Sequence, residues 1–375
     1  MSVAETQYLA LLRAALWGTP VDIEGAIDWK TVMQMAFYHG NNVLLSDVAA
    51  CLTDDQKPSP KMMAKMQDYM RGNLMLQMRQ KRILFSAVKL LREHDIEPVV
   101  LKGFGLAGLY PNPCLRQSGD IDLFVGLDSF HEACALLRTI PNCYYWCEEV
   151  DSGRHYNIEF GDVIMEIHRV SADVVDASEH QVYAAIEHEG LKESPQRIVV
   201  DGFELSVPSR EFMVFFTFYH AWHHFTTTGV GWRQLSDVAM ALHAYSGQLD
   251  LKKLREWLSS MHLMQPWQTF GFLLVDCLGL PQTEMPFFDA SCQRRARIVY
   301  KRVVKEGNFR RERSFRLNRP KKRLWQKIHA FICTFIDFFH LVGVFPKYAC
   351  HDLKTSLQLG FRKNFQKKMN FLRCE

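Results

Sequence analysis

The chain has 375 residues, of which 48% are hydrophobic and 23% charged, a composition typical of globular proteins that excludes a disordered or low-complexity chain. This length is sufficient for two or three packed layers around a core, or for two domains. The net charge of +4 conceals an asymmetry, because residues 294–327 contain 15 Lys and Arg against two acids and carry +13, which leaves −9 for the remainder.

The ten cysteines show no paired spacing of the kind that structural metal sites use. The first 19 residues lack a basic stretch followed by an apolar one, so we expect no export signal. We therefore expect reduced thiols and a cytoplasmic location. The apolar stretch 328–348 is interrupted by polar residues, and we expect no membrane-spanning segment.

Residues 1–95 are predicted to form an N-terminal helical region. Apolar residues recur at helical spacing over 29–52, interrupted by His39-Gly40, and again over 61–94. Many of the apolar positions in the second stretch are methionines, which we interpret as core-filling side chains.

Residues 96–207 are predicted to form an α/β core. Pro98–Leu101 reads as a short strand, and residues 103–110 as a turn that opens a short helix. Residues 120–125 are predicted as a strand and 128–139 as an amphipathic helix. Three further strands are predicted at 143–150, 155–160 and 163–168, with turns at Asp151-Ser-Gly and Gly161-Asp162.

Two acids, Asp120 and Asp122, occupy alternate positions of an otherwise apolar predicted strand and so point to the same face. Carboxylates held so close repel each other and resist burial unless a cation neutralises them. Mg²⁺, which binds a few carboxylates together with substrate phosphates, is the simplest such cation. The alternative is a pair of solvated acids at the end of a strand.

A third acid, Glu166, lies on the apolar strand 163–168 and shares a face with Ile164 and His168. We expect Glu166 to complete the acidic site, as a metal ligand or as the group that takes the acceptor proton. The alternative is an edge-strand glutamate that faces water. The three acids together indicate metal-assisted nucleotidyl transfer.

The turn after the first strand brings candidate phosphate contacts. Gly103 and Gly105 would let backbone amides approach phosphate oxygens at a helix N-terminus. Lys102 and Arg116 would neutralise phosphate charge, although a structural ion pair with the acidic pair is an equal alternative for both.

Residues 208–375 are predicted to form a C-terminal helical region that opens at Ser209, a plausible N-cap. His220 has helical spacing to His223 and His224, but no Glu sits at the spacing of a zinc-protease helix, so zinc is rejected. His220, Arg233 and Asp237 could line a cleft against the core. Arg233 and Asp237 lie four residues apart, and an intrahelical ion pair is the preferred explanation of these two residues.

The basic segment 294–327 marks an anionic partner, either a nucleic acid or a membrane surface, or else a solvated helical face. The aromatic stretch 325–348 that follows it has two interpretations. It is a membrane-surface or nucleic-acid platform, or it is a buried helix. We favour the buried helix because apolar helices of proteins usually belong to the core.

Several motifs together carry a resemblance to a known family: Leu101-Lys102-Gly103, Tyr110-Pro111, Arg116, Gly119-Asp120-Ile121-Asp122 and Glu166-Ile167-His168. His39-Gly40, His220, Arg233 and Asp237 fit the same pattern. By these residues the chain resembles the uncharacterised nucleotidyltransferase family of bacteria, within the polymerase-β-like nucleotidyltransferase superfamily. The resemblance covers roughly residues 30–245.

The resemblance implies an α+β fold with a small mixed-sheet nucleotidyltransferase core flanked by N-terminal helices and a C-terminal helical region. It implies transfer of a nucleoside monophosphate from an NTP to a hydroxyl or phosphate acceptor, with Mg²⁺ (or Mn²⁺) as cofactor and release of pyrophosphate. The acceptor is a small molecule, a peptide or protein, or RNA. Kinase loop motifs are absent from the sequence, which argues against phosphoryl transfer.

The implied site residues fall into three groups. The catalytic and metal-binding group is Asp120, Asp122 and Glu166, and the cleft-lining group is His168, His220, Arg233 and Asp237. The nucleotide-binding group is Lys102, Gly103, Gly105, Arg116, Ser118 and Gly119. The competing hypothesis is a degenerate nucleotidyltransferase fold that binds nucleotide or RNA without turnover, the RNA through the basic segment.

Overall fold

The computed structural model describes residues 1–141, 144–146, 154–172, 174, 177–308, 323–351, 353–354 and 357. Over these residues the chain is a mixed α+β protein in which helices precede and follow one mixed sheet, as predicted. The strands lie between Val99 and Val207, within the stretch assigned to the core. The exact division into three regions stays a prediction.

Four helices form the N-terminal region: α1 (Val3–Trp17), α2 (Trp29–His39), α3 (Asn42–Ala50) and α4 (Pro60–Arg92). The predicted interruption at His39-Gly40 separates α2 from α3, because Gly40 takes a left-handed conformation (φ 73°) that ends the first helix. The long helix α4 begins where the Ser59 hydroxyl accepts a hydrogen bond from the Met62 amide.

In the described part of the chain, seven strands form the sheet, in the order β3-β4-β5-β2-β1-β7-β6. Their bounds are β1 Val99–Val100, β2 Asp120–Phe124, β3 Tyr144–Trp146, β4 His155–Phe160, β5 Val163–His168, β6 Gln196–Val200 and β7 Phe203–Val207. Strand β2 runs parallel to β5 and antiparallel to β1. The two helices that follow β1 and β2 are α5 (Phe104–Ala107) and α6 (Gly126–Leu137).

The sheet has one apolar and one polar face around β2 and β5. Ile121 and Leu123 of β2, with Met165 and Ile167 of β5, are fully buried on the face that contacts α4 and α6. Because side chains alternate along a strand, the acids of both strands project from the opposite face. The hydrophobic pattern therefore fixes which side of the sheet carries the site.

Three elements of the core are not anticipated by the sequence analysis: helix α7 (Ala177–His188) and the hairpin of β6 and β7. The hairpin closes through Asp201 and Gly202, both with positive φ (48° and 80°). An Asp-Gly pair between a β-branched run and Phe203 is a strong signal for a two-residue hairpin, so the sequence contains the information for these two strands.

Helices dominate the rest of the described chain. They are α8 (Arg210–Thr226), α9 (Trp232–Ala244), α10 (Leu251–Ser260), α11 (Met264–Leu278), α12 (Gln293–Glu306) and α13 (Arg323–Val342). The predicted N-cap is confirmed, since the Ser209 hydroxyl accepts a hydrogen bond from the Phe212 amide at 3.3 Å. Among the described residues, no helix is both long and apolar enough to cross a membrane.

The prediction of a buried helix over 325–348 is wrong for the described residues up to 340, whereas Leu341, Val344 and Phe345 are buried. In α13 the side chains of Trp325, Phe331 and Phe339 are exposed, and none of the side chains described between 323 and 340 is buried. Apolar helices are usually buried, which favoured this prediction, but the apolar face of α13 is exposed. Residues 309–322 of the basic segment lie outside the described part of the chain.

The contact between Gly190 and Phe212 offers a test of the packing that supports α8. A Cβ atom at Gly190 would collide with the Cβ and ring of Phe212, which is fully buried and cannot move aside. We expect Gly190→Ala to lower the free energy of unfolding by about 2 kcal/mol through overpacking. Chemical denaturation measures the change.

The matched control is Gly72→Ala, since Gly72 lies inside α4 with nothing within 4 Å of an added Cβ. Alanine has the higher helix propensity, so this substitution should raise the free energy of unfolding by up to about 1 kcal/mol. Equal effects at the two glycines would contradict the packing argument.

Candidate active site

The three predicted acids meet on adjacent strands. In the parallel pairing of β2 and β5, Asp122 lies directly opposite Glu166, and Asp120 lies opposite Ile164 two residues earlier. Asp120, Asp122 and Glu166 therefore share the polar face of the sheet. Asp122 is fully buried, whereas Asp120 and Glu166 are partly exposed.

Two basic side chains contact the buried Asp122. Its Oδ1 atom lies 3.0 Å from Lys102 Nζ and 3.0 Å from His168 Nε2, and the same His168 nitrogen lies 3.3 Å from Glu166 Oε2. Lys102 leaves the end of β1 and His168 ends β5, so both reach Asp122 from neighbouring strands. Burial of this carboxylate depends on these contacts, because an unpaired buried charge is costly.

The surroundings of Asp120 and Asp122 shift the pKa values of these two aspartates in opposite directions. Burial would raise the pKa of Asp122, but the charge of Lys102 and the hydrogen bond from His168 outweigh it and lower that pKa. The charge of Asp122, followed by burial, raises the pKa of Asp120 to about 6. Burial opposes ionisation of Lys102 and His168, yet the neighbouring carboxylates raise the pKa of each. Asp122 is thus the permanently ionised member of the pair.

Helix α8 supplies the side of the site opposite the sheet. His220 Nε2 lies 3.3 Å from Lys102 Nζ and 3.1 Å from His224 Nε2 one turn later. Burial and the charge of Lys102 hold the pKa of His220 well below its usual value. A neutral His220 can accept a hydrogen bond from Lys102, which orients the ammonium group.

Arg116 and Asp237 form a buried bidentate ion pair. Arg116 Nε donates to Asp237 Oδ1 at 2.7 Å and Nη2 donates to Oδ2 at 2.9 Å, while Nη1 donates to the Gly103 carbonyl at 3.2 Å. Tyr110 Oη also donates to Asp237 Oδ1, at 2.7 Å. This network ties α9 to the loop between β1 and β2.

The preferred intrahelical ion pair between Arg233 and Asp237 is therefore wrong. Among the described residues, Asp237 pairs with Arg116 across the domain, and Arg233 Nη1 donates to the Gln117 carbonyl at 3.2 Å. Arg116 was predicted to contact nucleotide. Its geometry favours a positioning role, because its guanidinium is already engaged with Asp237 and Gly103.

The glycine turn is compact. Gly103 has a positive φ of 60°, which glycine adopts without strain, and Ser118 Oγ donates to the Asp120 carbonyl at 2.9 Å. The Gly105 amide donates to the Lys102 carbonyl at 3.1 Å, and a Cβ at Gly105 would press on Val100 and Val207. These contacts make Gly105 a packing residue, and phosphate contacts from this turn stay a prediction.

A cavity of about 240 Å³ lies between the sheet and the helices α8 and α9. Nine predicted residues line it: Lys102, Arg116, Ser118, Gly119, Asp120, Glu166, His220, Arg233 and Asp237. Leu106, Arg154, Thr217, His224 and Gln234 complete the lining and were not predicted. Asp122 and His168 are buried and do not line it. The structure thus brings most of the sequence candidates to one cavity.

His155 is a further candidate that the sequence analysis missed. It pairs with His168 across β4 and β5, and its Nε2 lies 3.8 Å from Glu166 Oε2. Ligand atoms of His155, Glu166 and His168 all lie within 4.8 Å of one another, as in a site for a metal ion. The two-residue turn at Gly161-Asp162 fixes this register and could have revealed the pairing.

The acidic residues fit a divalent cation. Among the described groups, none hydrogen-bonds the buried Oδ2 atom of Asp122, so one carboxylate oxygen remains available. Asp120 and Glu166 offer further oxygens on the same face, and carboxylate oxygens are the ligands that Mg²⁺ and Mn²⁺ prefer.

Residues 25–279, about two thirds of the chain, match the family model described as uncharacterised nucleotidyltransferase. The chain therefore belongs to this family, as its motifs predicted, and it is a nucleotidyltransferase. No curated protein and no solved structure matches it significantly.

The raised pKa of Asp120 can be tested by its own titration. In metal-free protein we expect one aspartate carboxyl carbon to titrate near pH 6, since the charge of Asp122 disfavours ionisation of Asp120. Because this pKa is higher in the folded state, stability should fall as the pH rises from the ordinary aspartate value through about 6.

NMR of labelled side-chain carboxyl carbons measures the titration. The signal should disappear in Asp120→Asn, move to lower pH with saturating Mg²⁺, and persist in the surface variant Asp162→Asn. An Asp120 carboxyl that titrates at the ordinary value would contradict the coupling.

The Arg116–Asp237 pair can be tested by removing one partner. Asp237→Ala leaves the Arg116 guanidinium buried without its carboxylate, which should lower the free energy of unfolding by about 3–5 kcal/mol. Asp162→Ala breaks the exposed ion pair of Asp162 with Arg79 and should cost less than about 1 kcal/mol. Chemical denaturation compares them, and similar losses would show that burial of the pair is unimportant.

Proposed function

We propose that this nucleotidyltransferase moves a nucleoside monophosphate from an NTP onto a hydroxyl or phosphate acceptor and releases pyrophosphate, with Mg²⁺ (or Mn²⁺) as cofactor. The observation that carries the proposal is the register of β2 and β5, which brings Asp120, Asp122 and Glu166 to one face beside a cation-lined cavity. Family membership supports the reaction class.

Asp120, Asp122 and Glu166 would hold the divalent cation, and His155, close to Glu166, would be an additional ligand. The cation, when bound, would activate the acceptor oxygen and neutralise the phosphates and the leaving pyrophosphate. The low pKa of Asp122 keeps this ligand ionised, so it can bind a cation throughout the physiological pH range.

Positive side chains of the cavity would receive the triphosphate. Lys102, Arg154 and Arg233 line it together with the acids, so cations and carboxylates face the same space. Phosphate oxygens need such cations, and a cavity that excludes water strengthens the attraction. Lys102 lies between Asp122 and His220, and we propose that it orients the phosphates.

The competing function is nucleotide binding without turnover. One observation favours it: Lys102 and His168 already neutralise Asp122 within the protein, so the fold does not need a cation to bury that acid. The binding-only hypothesis predicts nucleotide affinity that is independent of divalent metal.

We also propose a cytoplasmic location, which cysteine usage supports. The seven cysteines among the described residues are all free thiols, as expected for a reducing compartment.

The decisive test is calorimetric binding of ATP, GTP, CTP and UTP, each with Mg²⁺ and again with EDTA. We expect one nucleotide to bind only with metal, and the double variant Asp120→Asn/Asp122→Asn to lose that binding because the cation ligands are gone. With this donor, either single variant should lower pyrophosphate release by on the order of 10²–10³-fold or more.

Asp162→Asn is the matched control, since it removes an exposed acid at the turn between β4 and β5 and should change neither property. Metal-independent binding would favour the binding-only function. Full pyrophosphate release by a folded Asp122→Asn protein would refute the proposed mechanism.

A further inference from the structure

Helix α13 presents an apolar face to solvent. Trp325, Ile328, Phe331, Ile332 and Phe339 recur at spacings of three, four and seven residues and so share one side of the helix. Their exposed fractions include 56% for Trp325, 54% for Phe331 and 70% for Phe339. A contiguous surface of large aromatic and aliphatic side chains is unusual unless it binds a partner.

The C-terminal end of this helix is anchored to the protein. Leu341 and Phe345 are buried, and the Phe345 ring packs edge-on against Trp222 of α8 at 5.0 Å. Arg295 Nε of α12 donates to the Val344 carbonyl at 3.0 Å. These contacts hold the C-terminal end of α13, whereas the exposed apolar face extends over Trp325 to Phe339, before that end.

Helix α12, which precedes α13 in the described chain, carries positive charge on its exposed side. Arg294, Arg297, Lys301 and Lys305 are exposed at spacings of three and four residues, which places them on one stripe. They belong to the basic segment 294–327, which carries +13 by sequence. An apolar helix face therefore follows directly on a strongly cationic segment.

We propose that α13 lies in the surface of an anionic lipid bilayer, with its Trp325 to Phe339 face among the acyl chains and the exposed basic stripe of α12 on the lipid headgroups. Amphipathic helices with aromatic apolar faces and nearby Lys and Arg bind such surfaces in this way. Anionic headgroups complement the charge of 294–327, and the acyl boundary covers the apolar face. This surface lies outside the nucleotide cavity.

Two other occupants fit less well. RNA would satisfy the basic segment and could stack on the exposed rings, but it would leave the aliphatic Ile328 and Ile332 between those rings without an apolar partner. A second copy of the chain would cover the apolar face, but it would also bring a second +13 segment close to the first. Only an anionic bilayer satisfies both the charge and the apolar face.

The test uses the full chain and sedimentation with vesicles of phosphatidylcholine alone or mixed with phosphatidylglycerol. We expect binding to the anionic vesicles alone, and roughly tenfold weaker binding by Phe331→Glu/Phe339→Glu, which places charge in the inserted face. Leu127→Glu/Val199→Glu is the matched control, because these residues are as exposed (61% and 69%) but lie on α6 and β6.

Charge reversal on α12 gives an independent variant. Arg297→Glu/Lys301→Glu should weaken binding to anionic vesicles and reduce its dependence on salt, since headgroup attraction is screened. Circular dichroism and thermal unfolding confirm that each variant is folded.

Three outcomes would overturn the proposal. They are absence of binding to anionic vesicles, equal binding by the α13 variant and the wild type, and RNA binding or a dimer that depends on Phe331 and Phe339 without vesicle binding. Failure of nucleotide binding in the calorimetric test leaves this proposal untouched, because the two surfaces share no residue.

Discussion

The close approach of three carboxylates on adjacent strands is the constraint around which this protein is built. Asp122 and Glu166 lie side by side because they are paired in the parallel register of β2 and β5. Asp120, two residues before Asp122, lies on the same face. Such a cluster is stable only where cations oppose it. Lys102 and His168 contact Asp122 within the protein, so this acid can be buried before any metal binds.

Polar residues that line the cavity also connect the helices α8 and α9 to the sheet and its loops. Arg116 spans from Asp237 on α9 to the Gly103 carbonyl in the turn after β1, and His220 on α8 approaches Lys102. A cavity between sheet and helices is the result. Displacement of α9 would break the buried Arg116–Asp237 pair and leave both charges without a partner, so this pair opposes movement of α9 away from the loop between β1 and β2.

Much of the core could be predicted because local patterns determine it. The alternation of acids and apolar residues in β2 and β5 specified both strands, and the positive φ of Gly40 and the Ser209 cap mark helix boundaries. The hairpin of β6 and β7 and the pairing of His155 with His168 were missed, although Asp201-Gly202 and Gly161-Asp162 are two-residue turns that fix both registers. Those omissions were failures to use a local signal.

The sequence by itself determined the family, the fold class and the acidic residues, because motif spacing and strand periodicity are local properties of the chain. Only the tertiary structure decided which partner each charged group takes: Asp237 pairs with Arg116 across 121 residues rather than with Arg233 one turn away. It also decided that the apolar face of α13 is exposed. Both depend on which distant elements pack together, and spacing along the chain carries no information about that.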